Sequence, residues 1–185
     1  MFSELTRSLK GHTLTNPAYG FLLEEDTSGE LVALHCEATS FDSTRAQLRT
    51  VAAIRLRGQR ILTSQRLVIK FSPEEATEEQ LERLLRYIGA RPVLGYYLEF
   101  TMAMLNKLAQ PLIGIPLPNR RIEVSSLYYD RKLRVFSDTQ VDLRLNSIVR
   151  DLDLPERGAG GAYPDALTSA LIYLCVTGKT RPPDL

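Results

Sequence analysis

The four-residue connection RGQR, Arg57 to Arg60, constrains the fold more than any other feature of the chain. It separates two apolar runs, Leu48 to Leu56 and Ile61 to Phe71, by too few residues for anything but a tight reversal, and it contains a glycine. The two runs are therefore expected to pair as an antiparallel hairpin. A continuous apolar run, Leu31 to Leu34, precedes them as a third strand. The pattern changes at Ser72-Pro73. Glu74, Glu75, Glu78 and Glu79 enrich a first helical turn, Leu81, Leu84, Leu85 and Ile88 follow at helical spacing, and Gly89 closes the helix. RPVLGYY reads as a buried strand. Phe100, Met104, Leu105 and Leu108 form a second helical stripe ending before Pro111, and RIEVSSLYY reads as a fifth strand and turn. Leu145, Ile148, Val149 and Leu152 predict a third helix, and Asp165 to Leu174 a last one with Pro164 at its start. The order βββαβαβαα implies an α/β fold: a mixed five-stranded sheet flanked by helices.

The chain has 185 residues, 44% hydrophobic and 24% charged, which suits one hydrophobic core. Residues 1–29 are expected to form an N-terminal extension docking through Phe2, Leu5 and Leu9, residues 30–176 the domain, and residues 177–185 a disordered tail. A formal charge of +1 removes any bulk electrostatic case for nucleic acid or an acidic membrane, so a polyanion site would have to be a local patch. Cys36 and Cys175 lie in apolar patterns as small hydrophobes, and no segment approaches the roughly 20 apolar residues of a membrane span. The expectation is a reduced, cytoplasmic protein without a membrane partner.

Candidate chemistry gathers in LHCEATSFD, Leu34 to Asp42. Alternation along a strand puts His35 and Glu37 on one face and Cys36 on the other. With only His12 and His35 in the chain and no C-x-x-C, serine or cysteine triads and zinc knuckles are excluded. GAGGA, Gly158 to Ala162, lacks the Lys and Ser/Thr of a P-loop and reads as a flexible link.

Four segments resemble the DEDDh-type 3′-5′ exonucleases, the ribonuclease-H-like family that includes the proofreading subunit of bacterial DNA polymerase III. LVALHCEATSFD resembles the first motif, D-x-E-T-T-G-L-D at the end of a strand, and LRTVAAIRLRGQRIL the following strand and hairpin. RPVLGYYLEFTMAMLN resembles the second motif, F-D-x-x-x-L-N, and GGAYPDALTSALIYL the third, H-x-A-x-x-D-A-x-x-T-A. The resemblance implies a ribonuclease-H-like sheet over residues 30 to 176. It also implies a chemistry in which four carboxylates hold two divalent cations and a histidine takes a proton from water.

Carried over position by position, that set is incomplete. The first Asp is His35, the Glu remains as Glu37, the second-motif Asp is Thr101, the last Asp remains as Asp165, and the general-base His is Gly160. Thr101 offers a neutral hydroxyl where a hard cation needs an anionic oxygen, and His35 a nitrogen that magnesium disfavours. Without the histidine, hydrolysis loses a further factor of roughly 10² to 10⁴. The resemblance therefore implies a catalytically degenerate exonuclease, acting through a protein partner, self-association or nucleic acid, with no cofactor. The alternative is a single-metal phosphodiesterase, with His35, Glu37 and Asp165 holding magnesium, manganese or zinc. The plainer reading, preferred here, has His35 hydrogen-bonding Glu37 or Asp165. For nucleic acid the candidate contacts are Arg55 and Arg57 on one strand face, and Tyr96 and Tyr97 beside the former cleft.

Overall fold

A computed structural model describes residues 14–71, 78–135, 140–156, 158 and 160–178. The expected contacts of Phe2, Leu5 and Leu9, the Ser72-Pro73 switch with Glu74 and Glu75, and most of the tail lie outside the described residues.

Six strands form one sheet: β1 Glu30–Ala38, β2 Leu48–Arg57, β3 Arg60–Ile61, β4 Leu67–Lys70, β5 Val93–Gly95 and β6 Arg121–Glu123. Their order is β3-β2-β1-β5-β6, with β4 also paired to β2. β2 runs antiparallel to β1, β3 and β4, while β5 is parallel to both β1 and β6. The hairpin forms as expected, with Leu56 opposite Ile61 and Arg57 opposite Arg60. Among the described residues, five α-helices flank the sheet: α1 Glu78–Ile88, α2 Leu98–Ile113, α3 Val124–Val135, α4 Leu145–Asp151 and α5 Ala162–Thr177. The sheet has one strand more than expected and remains mixed α/β, as a ribonuclease-H-like fold requires.

The additional strand arises because the run Ile61 to Phe71 is broken. A 3-10 turn, Thr63–Gln65, interrupts it, with Leu62 N–H donating to Arg55 O at 2.8 Å and the Tyr87 hydroxyl to Gln65 O at 2.7 Å. RIEVSSLYY is a strand only over Arg121–Glu123 and then becomes α3. Its β-branched and aromatic content favours a strand, but Glu123 acts as a cap: Oε1 accepts from the Ser125 N–H at 3.2 Å and the Ser125 hydroxyl at 2.8 Å. The second helix does not stop before Pro111. It continues to Ile113, and the Gly114 N–H returns to Gln110 O. Fully buried Ala109 and Ile113 anchor its last turns, offsetting the hydrogen bond that a proline withholds.

The sheet buries both faces. Val32, Leu34, Cys36, Val51 and Ala53 pack with α1 and α2, and the 3-10 segment Pro17–Leu23 adds Tyr19 and Leu22 to the same core. On the other face Ala33, Ala52, Ile54 and Leu56 meet Ala162, Ala166, Ala170 and Ile172 of α5, whose small side chains let the helix lie close. β5 also approaches β1 closely: a Cβ at Gly95 would sit 2.7 Å from Leu34 O. That contact brings the carboxyl ends of β1 and β5 together, where ligands usually gather in such sheets.

Candidate functional site

The face of β1 that carries Ala33 and packs on α5 also carries His35 and Glu37, while Cys36 turns into the opposite core. Asp165 lies in the first turn of α5, and its Oδ2 is 3.4 Å from His35 Nε2, with both side chains largely buried. Glu37 is exposed. Of the alternatives for the imidazole, contact with Asp165 is the one observed: it fills the place between strand and helix where a second carboxylate would otherwise meet Asp165.

Thr101 is 1% exposed in the first turn of α2. Burial pushes the Cys36 thiol up to about 11, partly offset by a hydrogen bond from Thr101. The hydroxyl at the second-motif position is thus given to a thiol in the α2 core. Gly160 has φ +83°, a conformation that L side chains rarely adopt, so the chain is shaped for glycine at the position where the resemblance would put a histidine.

These residues do not fit a pair of divalent cations. Of the four carboxylates that the resemblance calls for, Glu37 and Asp165 are present, Asp165 is engaged by an imidazole, and the Thr101 hydroxyl is already hydrogen-bonded. Among the described residues, no three His, Cys, Asp or Glu side chains are grouped so that they could hold a metal ion. His35 and Asp165 come together, and Glu37 does not complete a three-donor group with them.

The nucleic-acid candidates do not form one surface. Arg55 and Arg57 lie at the amino end of β1, around Glu30, which is 2% exposed. Arg57 donates to Glu30 Oε1 from Nε at 3.1 Å, and Arg91 Nε donates to Oε2 at 3.1 Å. Arg55 stacks 4.3 Å from the Tyr87 ring centroid and donates to Tyr87 O. Burial alone would raise the Glu30 carboxyl, but the hydrogen bond and charge of Arg57, with the charges of Arg91 and Arg55, hold it below the usual carboxylate range. Tyr96 and Tyr97 follow β5 toward the other end of the sheet, about 10 Å beyond Arg55 and up to about 20 Å beyond Arg57 by strand register. The Tyr96 hydroxyl donates to Leu143 O, and its N–H to Ser169 Oγ at 3.1 Å. Tyr97 is 55% exposed with left-handed backbone, φ 54°.

Three positioning residues escaped sequence reasoning. Glu123 Oε2 accepts the Leu98 N–H at 2.8 Å, so one carboxylate serves the starts of α2 and α3. Ser169, fully buried, accepts from Tyr96 and donates to Asp165 O at 2.9 Å, fastening α5 to the end of β5. Glu30 gathers arginines from β2 and from the α1–β5 connection. Only Ser169 had a local signal, its spacing of four from Asp165.

No family model and no curated protein matches the chain. Solved structures do match it. *E. coli* exonuclease I in complex with a 5cy-dT13 oligonucleotide is 14% identical, with a TM-score of 0.65 over 85% of this chain and 42% of that one. Exonuclease I from Methylocaldum szegediense is 16% identical, TM-score 0.61, over 83% and 41%. Cell-death related nuclease 4 is 15% identical, TM-score 0.59, over 78% and 62%. The chain has the fold of these nucleases. It spans about two fifths of exonuclease I, and at this identity the likeness concerns the fold alone. No described helix is long and apolar enough to cross a membrane.

Proposed function

We propose that the protein is a pseudo-exonuclease: a 3′-5′ exonuclease fold of the DEDDh type that acts by binding, without hydrolysing phosphodiesters and without a metal cofactor. The observation that carries this reading is the His35–Asp165 contact, in which an imidazole stands where the family places a metal-binding carboxylate. Thr101, buried and hydrogen-bonded to Cys36, and Gly160, with no proton acceptor, support it. The bound object is a protein. Exonuclease I is known in complex with an oligonucleotide and in a complex with SSB-Ct, so the fold accommodates both kinds of partner. Here Arg55 and Arg57 are committed to Glu30, and Arg55 also to Tyr87, which takes their charge away from the basic and aromatic track a single strand needs. The two free cysteines suit a reducing, cytoplasmic setting.

The test is digestion. Purified protein is incubated with 3′-labelled single-stranded DNA and RNA in magnesium and in manganese, beside a Glu37→Ala variant. The expected result is the same background for both. End-degradation by the parent protein that Glu37→Ala abolishes would replace this reading with the single-metal phosphodiesterase.

A further inference from the structure

Among the described residues, the large apolar side chain with the highest fractional exposure lies on the loop after the strand that carries His35 and Glu37. Phe41 is 83% exposed, on the loop that leaves β1. Its ring centroid lies 5.9 Å from that of Phe100, which in turn stacks on Tyr97 at 5.8 Å with an interplanar angle of 12°. Single exposed hydrophobes are ordinary, but a continuous row of three aromatics is not.

The row is also held in place. The Thr39 N–H donates to Gln47 O, and the Gln47 N–H to the Thr39 hydroxyl, both at 3.0 Å. Asp42 accepts from the Thr44 N–H through Oδ1 and from the Ala46 N–H through its carbonyl, and Lys107 Nζ donates to the Thr44 and Ala46 carbonyls at 2.9 Å each. At the other end, Tyr97 keeps a left-handed backbone that a tyrosine enters only at a cost, and that strain holds a half-exposed ring against Phe100. A fixed loop and a strained residue together present apolar surface to water, a combination expected where a partner covers it.

We infer that the row Phe41, Phe100 and Tyr97 is the contact face of a symmetric dimer of this chain. The rim identifies the occupant. It carries two internal ion pairs, Arg45 with Asp42 at 3.8 Å and Arg121 with Glu99 at 2.7 Å, and exposed Glu37 ends the same strand. A polyanionic strand laid on the row meets Asp42, Glu99 and Glu37 against Arg45, Arg121 and Lys107, so base stacking would come without net phosphate attraction. A second copy meets a complement. In a two-fold contact residue i faces j and j faces i, so Arg45 can face the other copy's Glu99 while Asp42 faces its Arg121. Three aromatics supply at most roughly half of the ~800 Å² per partner of a standard interface, so the dimer is weak and concentration-dependent.

This inference names the partner for the binding role proposed above and rests on that reading, but its test is independent of nuclease activity. Sedimentation of the full chain from about 1 µM to 1 mM should show a shift from monomer to twice the mass. Phe41→Asp should raise the dissociation constant at least tenfold. Tyr97→Gly should do likewise while its thermal midpoint holds or rises, because glycine adopts the left-handed backbone without strain. A monomer at every concentration, or a dimer indifferent to Phe41→Asp, overturns the inference, as does a monomer that binds a labelled oligonucleotide through Phe41. A dimer that digests DNA would overturn the pseudo-exonuclease reading and leave the dimer standing.

Discussion

The two ends of the central strand β1 hold their charges in opposite ways. At its start Glu30 is buried among Arg55, Arg57 and Arg91, and two of these guanidinium groups also reach carbonyls at the end of α1. At its finish Glu37 is exposed, His35 faces Asp165, and an aromatic row meets solvent. The first arrangement needs every member, because a buried carboxylate is tolerable only with its cations. On the pseudo-exonuclease reading proposed above, the second departs from the exonuclease pattern at three of five positions, His35, Thr101 and Gly160, while the sheet around them stays packed. The contrast is between a buried ion cluster on which packing depends and an end whose charges meet solvent or each other.

The sharpest way to break the contrast is at Glu30. Glu30→Gln leaves three guanidinium groups around a neutral amide and should cost about 3–5 kcal/mol in denaturant unfolding. A cost below 1 kcal/mol would show that the amino end is no more constrained than the other. Next in size is Gly95→Ala, whose Cβ would press on Leu34 O and should cost about 1–3 kcal/mol by the same measurement.

The Glu30 cluster also carries a pH signature. The carboxyl is lowered in the folded protein relative to its ordinary 4.5, so its contribution to stability is fully present above about pH 4.5 and is lost as pH falls through the lower, folded value. Thermal midpoints measured from pH 7 to pH 2 should fall less steeply in Glu30→Gln than in the parent protein. Equal slopes would assign the acid sensitivity to other groups.

Smaller effects belong to the other end. His35→Asp sets a carboxylate against Asp165 and should lower stability by about 1 kcal/mol at pH 7. Glu37→Ala, at an exposed position, should stay within about 0.5 kcal/mol. A large loss at Glu37 would mean that it holds a structural contact, and the difference between the ends would narrow.

Much of the fold was legible because its signals are local. The hairpin at RGQR, the stripe of α1, the existence of α5, which begins at Ala162 two residues before the expected Pro164, and the alternation that parts His35 from Cys36 depend on neighbours in sequence. The errors fall where a distant residue decides. Nothing within RIEVSSLYY reveals that Glu123 starts one helix and caps another, and nothing beside Pro111 reveals how deeply Ile113 is buried. The site divides in the same way. The resemblance nominated His35, Glu37, Thr101, Gly160 and Asp165 position by position. The His35–Asp165 contact, the turning of Thr101 to Cys36 and the capture of Arg55 and Arg57 by Glu30 depend on elements far apart in the chain.

The measurement closest to the central claim is manganese binding by calorimetry, comparing the protein with Glu37→Ala and Asp165→Ala at pH 7. The expected result is no saturable site tighter than about 1 mM in any of the three. Stoichiometric binding of two ions, lost in either variant, would contradict it and return the carboxyl end of β1 to the hydrolytic chemistry of its fold.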